Sequence, residues 1–270
     1  MRSTLSVHGE WKMRQDPRQV RYLYAIVRAE SVDVAGLHGV GESGQVRLVS
    51  HADLAIAVSD VARDALELPE EELSENGKVA ELAMTHDAVV RAIFDQAPAL
   101  PLRLATVVAD DESAVRALDQ YHDEAILRLD RLDGHREWGI RLCREQATQT
   151  PSPKLDGDGG ARPTGTAYLQ RRRHALRAGE EARQQERALT EDVFTTLGAF
   201  ASEMDRQPGA SADVVLNAAY LVDAAAEEAF LVAAQSQVRA LAPHGIRVDV
   251  TGPWPPYSFA QLRSRRVADA

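Results

Sequence analysis

Hydrophobic and polar positions along the chain change period several times, and each change marks an element. Val20, Tyr22, Tyr24 and Ile26 alternate with Arg21, Leu23, Ala25 and Val27, a strand whose second face is also partly apolar. Val46–Val49 and Leu54–Val58 read as two short strands across the polar corner Ser50-His51-Ala52-Asp53. Leu68-Pro69-Glu70-Glu71-Glu72 reads as an acidic helix start or a turn. From Lys78 the period becomes helical: Val79, Leu82, Ala83, His86, Val89, Val90, Ile93, Phe94 and Ala97 form one stripe, which Pro98 ends. Leu100–Val108 follows as a strand, with Pro101 near its start, where a missing donor matters least. Asp110-Asp111-Glu112-Ser113 caps a second helix carrying Val115, Leu118, Tyr121, Ala125, Leu129 and Leu132 inward, stopped at Gly134. Trp138, Ile140 and Leu142 then alternate with Glu137, Gly139 and Arg141, the last strand expected in this half.

Residues 145–166 lose all periodicity and are rich in proline, glycine, serine and threonine, as a linker or exposed loop is. Ala167–Met204 reads as a long charged helix or a helix pair, with a stripe at Leu189, Val193, Leu197, Phe200 and Met204. After the turn Gln207-Pro208-Gly209, Val214–Val222 is apolar on both faces, which suits a strand covered on each side. Phe230, Leu231, Ala234, Val238 and Leu241 recur at helical spacing, and Pro243 with Gly245 stops that helix. Ile246, Val248 and Val250 alternate with Arg247 and Asp249, a strand that Pro253, Pro255 and Pro256 should keep from running on. The pattern predicts an α+β protein of two domains, each with helices packed on a largely antiparallel sheet. Its expected divisions are a tail at 1–19, a domain at 20–144, the linker 145–166, a domain at 167–259 and a tail at 260–270.

Composition narrows the function. The chain has 270 residues, 44% of them hydrophobic, enough for a real core. A formal charge of -10 repels phosphate backbones and argues against a nucleic-acid partner; Arg171-Arg172-Arg173 is answered by Glu180, Glu181 and Glu186 close behind it. The single Cys143 rules out an intramolecular disulfide and points to a reducing cytoplasm. No run approaches the roughly 20 apolar residues of a membrane span, and no signal peptide is visible, so the chain reads as soluble and cytoplasmic. The glycines 36, 39, 41 and 44 lack the spacing and lysine of a phosphate loop. No nucleophile elbow, metal-binding helix or paired cysteines occur, so no cofactor, metal or enzymatic activity is expected. His86 reads as a hydrogen-bonded packing residue, with no second ligand one turn away. Arg103, inside an apolar run, either reaches solvent or pairs with a buried acid.

Asn217-Ala218-Ala219-Tyr220-Leu221-Val222, followed by Thr251-Gly252-Pro253-Trp254-Pro255-Pro256-Tyr257-Ser258-Phe259, resembles the gas vesicle protein F/L family. Arg21–Val27, Leu100–Arg103 and Glu137–Ile140 extend the likeness upstream, so that it covers most of the chain from Tyr22 to Phe259. After Pro101-Leu102-Arg103 the family usually carries Phe-Gly-Thr, and here Leu104-Ala105-Thr106 stands. The resemblance implies elaborated ferredoxin-like domains. It also implies an accessory protein of gas vesicle assembly, binding the small hydrophobic shell protein, with other accessory proteins as further partners. The alternative is a small-molecule sensor or enzyme built on the same domains. Trp254, Tyr257 and Phe259, held on a proline-stiffened segment, are expected either to dock in cis, crossing to the first domain, or to meet the shell protein. Docking in cis is favoured because large exposed aromatics are unusual.

Overall fold

The computed structural model describes residues 19–41, 44–66, 77–145, 165–209 and 211–262. Residues 1–18 and 263–270 of the predicted tails, the acidic stretch Leu68–Glu72 and nearly all of the segment 145–166 lie outside them, whereas Gln19 opens β1 and Ala260 is buried. The fold is α+β with two antiparallel sheets, and the chain divides into two compact units between Arg131 and Leu132.

The first unit contains β1 (Gln19–Arg28), β2 (Arg47–His51), β3 (Leu54–Ala62), α1 (Lys78–Phe94), β4 (Ala99–Pro101), β5 (Val107–Val108) and α2 (Asp111–Leu132, its last residue beyond the boundary). The sheet order is β2-β3-β1-β4, with β5 also on β1, and every pairing is antiparallel. β1 is central, which explains why it is apolar on both faces: Val20, Tyr22, Leu23, Tyr24, Ala25, Ile26 and Val27 are all buried. Asp110 caps α2 as its sequence predicts, its carboxylate accepting the Ser113 backbone N–H at 2.8 Å and the Ser113 hydroxyl at 2.7 Å. The expected strand Leu100–Val108 is two short pieces separated by a turn, and Arg103 sits in that turn.

The second unit runs β6 (His135–Arg144), α3 (Gly165–Gly198), β7 (Glu203–Arg206), β8 (Val214–Asp223), α4 (Glu227–Leu241) and β9 (Ile246–Trp254). Its order is β7-β8-β6-β9, antiparallel throughout. This is a β-α-β-β-α-β chain with two split crossovers. The first unit instead runs through three strands before its first helix. Trp138, Ile140, Leu142, Tyr220, Phe230 and Leu197 form the core between sheet and helices.

Three expectations are corrected. β6 alternates like the strands before it, but its partners are β8 and β9, so it opens the second unit rather than closing the first. Met204 does not continue the α3 stripe: the helix ends at Gly198, and Met204 lies in the short edge strand β7. β9 continues through Pro253 to Trp254, because an edge strand tolerates a residue that lacks a backbone donor.

Candidate functional site

Among the described residues, an arginine–aspartate cluster, two clipped turns and one helix face stand out. In the first unit, Arg21 and Arg47 converge on Asp60 and Asp111. Arg21 Nε reaches Asp111 at 2.7 Å, and Arg47 donates to both Asp111 oxygens at 2.8 and 3.0 Å. Burial alone would push the Asp111 carboxyl up; the two guanidinium groups outweigh it and hold the carboxyl below its ordinary range. Arg21 is only 9% exposed. These pairs tie three strands to the start of α2, a structural task.

The turn that holds Arg103 is clipped from beneath. The Ala105 backbone N–H donates to the Tyr22 phenol oxygen at 3.0 Å, the phenol contacts His86 Nδ1 at 3.1 Å, and His86 Nε2 contacts the Leu102 carbonyl at 3.2 Å. A carbonyl accepts only, so Nε2 carries the proton and Nδ1 accepts from the phenol. Burial lowers the His86 pKa and raises that of Tyr22 to about 12, so both stay neutral. His86 thus has the packing role its sequence suggests. Ala105 takes a positive φ of 61°. The turn presents Arg103 and Leu104 outward, both exposed.

Within the second unit, Ser258 of the aromatic-proline segment is held by Glu137 and Gln207. Trp254 and Tyr257 are half-buried, Pro255, Pro256 and Phe259 buried. Glu137, 8% exposed, accepts the Ser258 backbone N–H at 2.8 Å and the Ser258 hydroxyl at 2.7 Å, while Gln207 donates to that hydroxyl oxygen at 2.6 Å. Burial pushes the Glu137 carboxyl above its ordinary range, against the two Ser258 bonds that favour its ionised form. Sequence reasoning missed Glu137 because simple alternation sends it away from Trp138 and toward solvent; its partner is far along the chain.

A groove of about 640 Å³ runs along α4 and the edge strand β9, lined by Leu231, Val232, Ala234, Val238 and Val250, with Glu227, Glu228 and Gln235. Val232 is 61% exposed and Val238 38%. The helix stripe read from sequence included Leu231 and Val238; Phe230, Ala234 and Leu241 are buried in the core, Leu231 packs partly against it, and Val238 is left exposed. A stripe wider than one sheet face was the signal available. Of the residues singled out in the sequence, Arg103 lies in the first unit and Trp254, Tyr257 and Phe259 lie in the second, none of them in the groove lining.

Among the described residues no group of three or more histidines, cysteines or carboxylates is arranged to hold a metal ion. Cys143 is buried. No helix among the described residues is long and apolar enough to cross a membrane.

The described residues thus form a two-sheet α+β chain with clipped turns and an open apolar groove. Comparison with known proteins gives the particular family. The model of the gas vesicle synthesis protein GvpL/GvpF family matches residues 20–261, and the chain belongs to that family. It is 35% identical over 259 residues to gas vesicle protein L of Streptomyces sp. (strain CB03234), covering 92% of this chain and 96% of that one. Gas vesicle protein F of the same strain is 25% identical over 248 residues, covering 89% and 99%. The crystal structure of gas vesicle protein GvpF from Anabaena sp. PCC7120 shares the fold, with a TM-score of 0.65 at 17% identity, covering 91% of this chain and 97% of that one. Family membership supports a role in gas vesicle assembly.

Proposed function

We propose that this chain is a cytoplasmic, non-catalytic assembly factor that binds the small hydrophobic shell protein of gas vesicles during nucleation or early growth. Other accessory proteins of the same assembly are its further partners. The observation that carries the reading is the open groove along α4 and β9, an apolar surface kept on a chain of charge -10. A shell subunit with an apolar face aggregates when free, and an acidic soluble partner covers that face while repelling its own copies. A sensor or enzyme would need polar groups converging in an enclosed pocket. Here Glu227 is already paired with Arg136 at 3.6 Å, and the groove is otherwise mostly aliphatic.

The test is a pull-down of recombinant shell protein by the tagged chain. Retention of shell protein in a defined stoichiometry is expected. A shell protein that passes through unretained, while other accessory proteins of the same gene set still hold it in solution, would sink the proposal.

A further inference from the structure

We infer that β9 is a strand-addition site: an extended apolar segment of the partner pairs with its open edge and lays alternate side chains into the α4 groove. The inference rests on the shell-protein reading above and names how that partner is held.

The backbone register identifies the open groups. The Glu145 N–H donates to the Gly245 carbonyl at 2.8 Å, which makes 145 and 245 a hydrogen-bonded pair. From there the register runs without a break through Cys143 with Arg247, Arg141 with Asp249 and Gly139 with Thr251. In an antiparallel ladder hydrogen-bonded and non-bonded pairs alternate. The residues between, Ile246, Val248 and Val250, therefore turn their N–H and C=O away from β6. β9 is the last strand of the order β7-β8-β6-β9, and these groups have no partner among the described residues.

The groove lies beside those groups, since Val250 lines it together with Leu231, Val232 and Val238. This decides between occupants. A docked helix would dry the groove and strand the outward N–H and C=O groups of β9, because its own backbone is already paired internally. An extended segment satisfies them and fills the groove with every second side chain, as strand addition does elsewhere. The edge is blunted at its far end, where Pro253 lacks a donor, so addition is confined to residues 246–250. Charge sets the remaining preference. Glu228 has no ion-pair partner among the described residues, so the fitting segment is apolar with a basic residue at the end that meets the start of α4. Arg247 and Asp249 pair with each other at 3.1 Å and leave this preference unchanged.

The experiment measures amide hydrogen exchange of the full chain, alone and with recombinant shell protein kept soluble as a fusion, together with affinity for Val232→Asp and Val238→Asp. Both valines are exposed, so the variants fold. Strand addition slows exchange at Ile246, Val248 and Val250 by about tenfold or more, and leaves Arg247 and Asp249 little changed. Each aspartate weakens binding by about tenfold or more. Tight binding with both variants intact and no new protection at Ile246, Val248 and Val250 overturns the site while the function reading stands. Loss of binding in the valine variants without that protection overturns strand addition and points to a helix in the groove. Protection that grows with concentration of the chain alone assigns the edge to a second copy and overturns the shell-protein occupant. A shell protein that never binds the unaltered chain overturns the function reading and this one with it.

Discussion

Replacing Ala105 by glycine should stabilise the protein. Ala105 holds φ at 61°, the left-handed region where a Cβ crowds its own carbonyl, at a cost of about 1–2 kcal/mol for a residue other than glycine. Glycine removes that strain but gives the unfolded chain more freedom, which returns about 0.5–1 kcal/mol. Ala105 is exposed, so its methyl contributes little burial, and the bond from its N–H to Tyr22 at 3.0 Å survives the change. The net gain is about 0.5–1 kcal/mol, or about 1–4 °C in the melting midpoint for a chain of this size. Urea denaturation followed by circular dichroism reads it directly, with Ala105→Val as the control that should destabilise, since a β-branched residue fits φ > 0 worst. A lower midpoint for Ala105→Gly, or an unchanged one for Ala105→Val, would refute the account of the turn. It would mean that the conformation is set by something other than the Tyr22–His86 clip.

Other expectations concern the buried groups. Glu137→Gln should alter the pH profile of stability. The folded pKa of Glu137 is raised by burial, so its contribution is fully present below its ordinary value near 4.5 and is lost as pH rises through the folded value; the variant, compared by thermal melts across pH 4–7, should lack that decline, and a parallel profile would count against it. His86 behaves in the opposite sense. Its lowered pKa costs stability as pH falls below its ordinary 6.5, so His86→Gln should flatten the acid side of the curve, and an unchanged slope there would oppose the neutral assignment. Tyr22→Phe leaves the Ala105 N–H without its acceptor and should lower stability by about 1–3 kcal/mol in denaturant titrations. Gly252→Ala should destabilise by about 1–3 kcal/mol, since φ is 129° there and a Cβ would lie 2.9 Å from the Glu137 carbonyl oxygen and 3.0 Å from the Trp138 ring; a neutral melting curve would contradict that close approach.

Periodicity located most of the elements because burial in this chain is one-sided along most helices and strands. β1, α1, α2, β8 and α4 all fall where apolar spacing puts them. It failed where local pattern carries no information about partners. Trp138, Ile140 and Leu142 announce a buried face, but nothing in them says which sheet receives it. β7 was missed because four mostly polar residues at a sheet edge bury almost nothing. The closing aromatic-proline stretch was legible as special, yet its anchor, Glu137, looked like an ordinary outward charge. The groove was half-visible: the apolar spacing of α4 showed a broad stripe, but only the width of the sheet beneath decides which of its residues remain uncovered.

The placement of β6 has a consequence for synthesis on the ribosome. Only Asp133 and Gly134 separate it from α2, so it leaves the exit tunnel directly after the first unit is complete. Its neighbours come much later: Trp138 pairs with Tyr220, and Glu137 waits for Trp254 near the end of the chain. At ordinary elongation speeds the interval before β8 emerges is on the order of ten seconds. Throughout it a strand with an apolar face and two open edges has no sheet to join, so the nascent chain passes through a stage that chaperone cover or faster elongation would shorten or protect. Substitutions that lower the hydrophobicity of β6 should therefore affect yield in cells out of proportion to their effect on the finished protein.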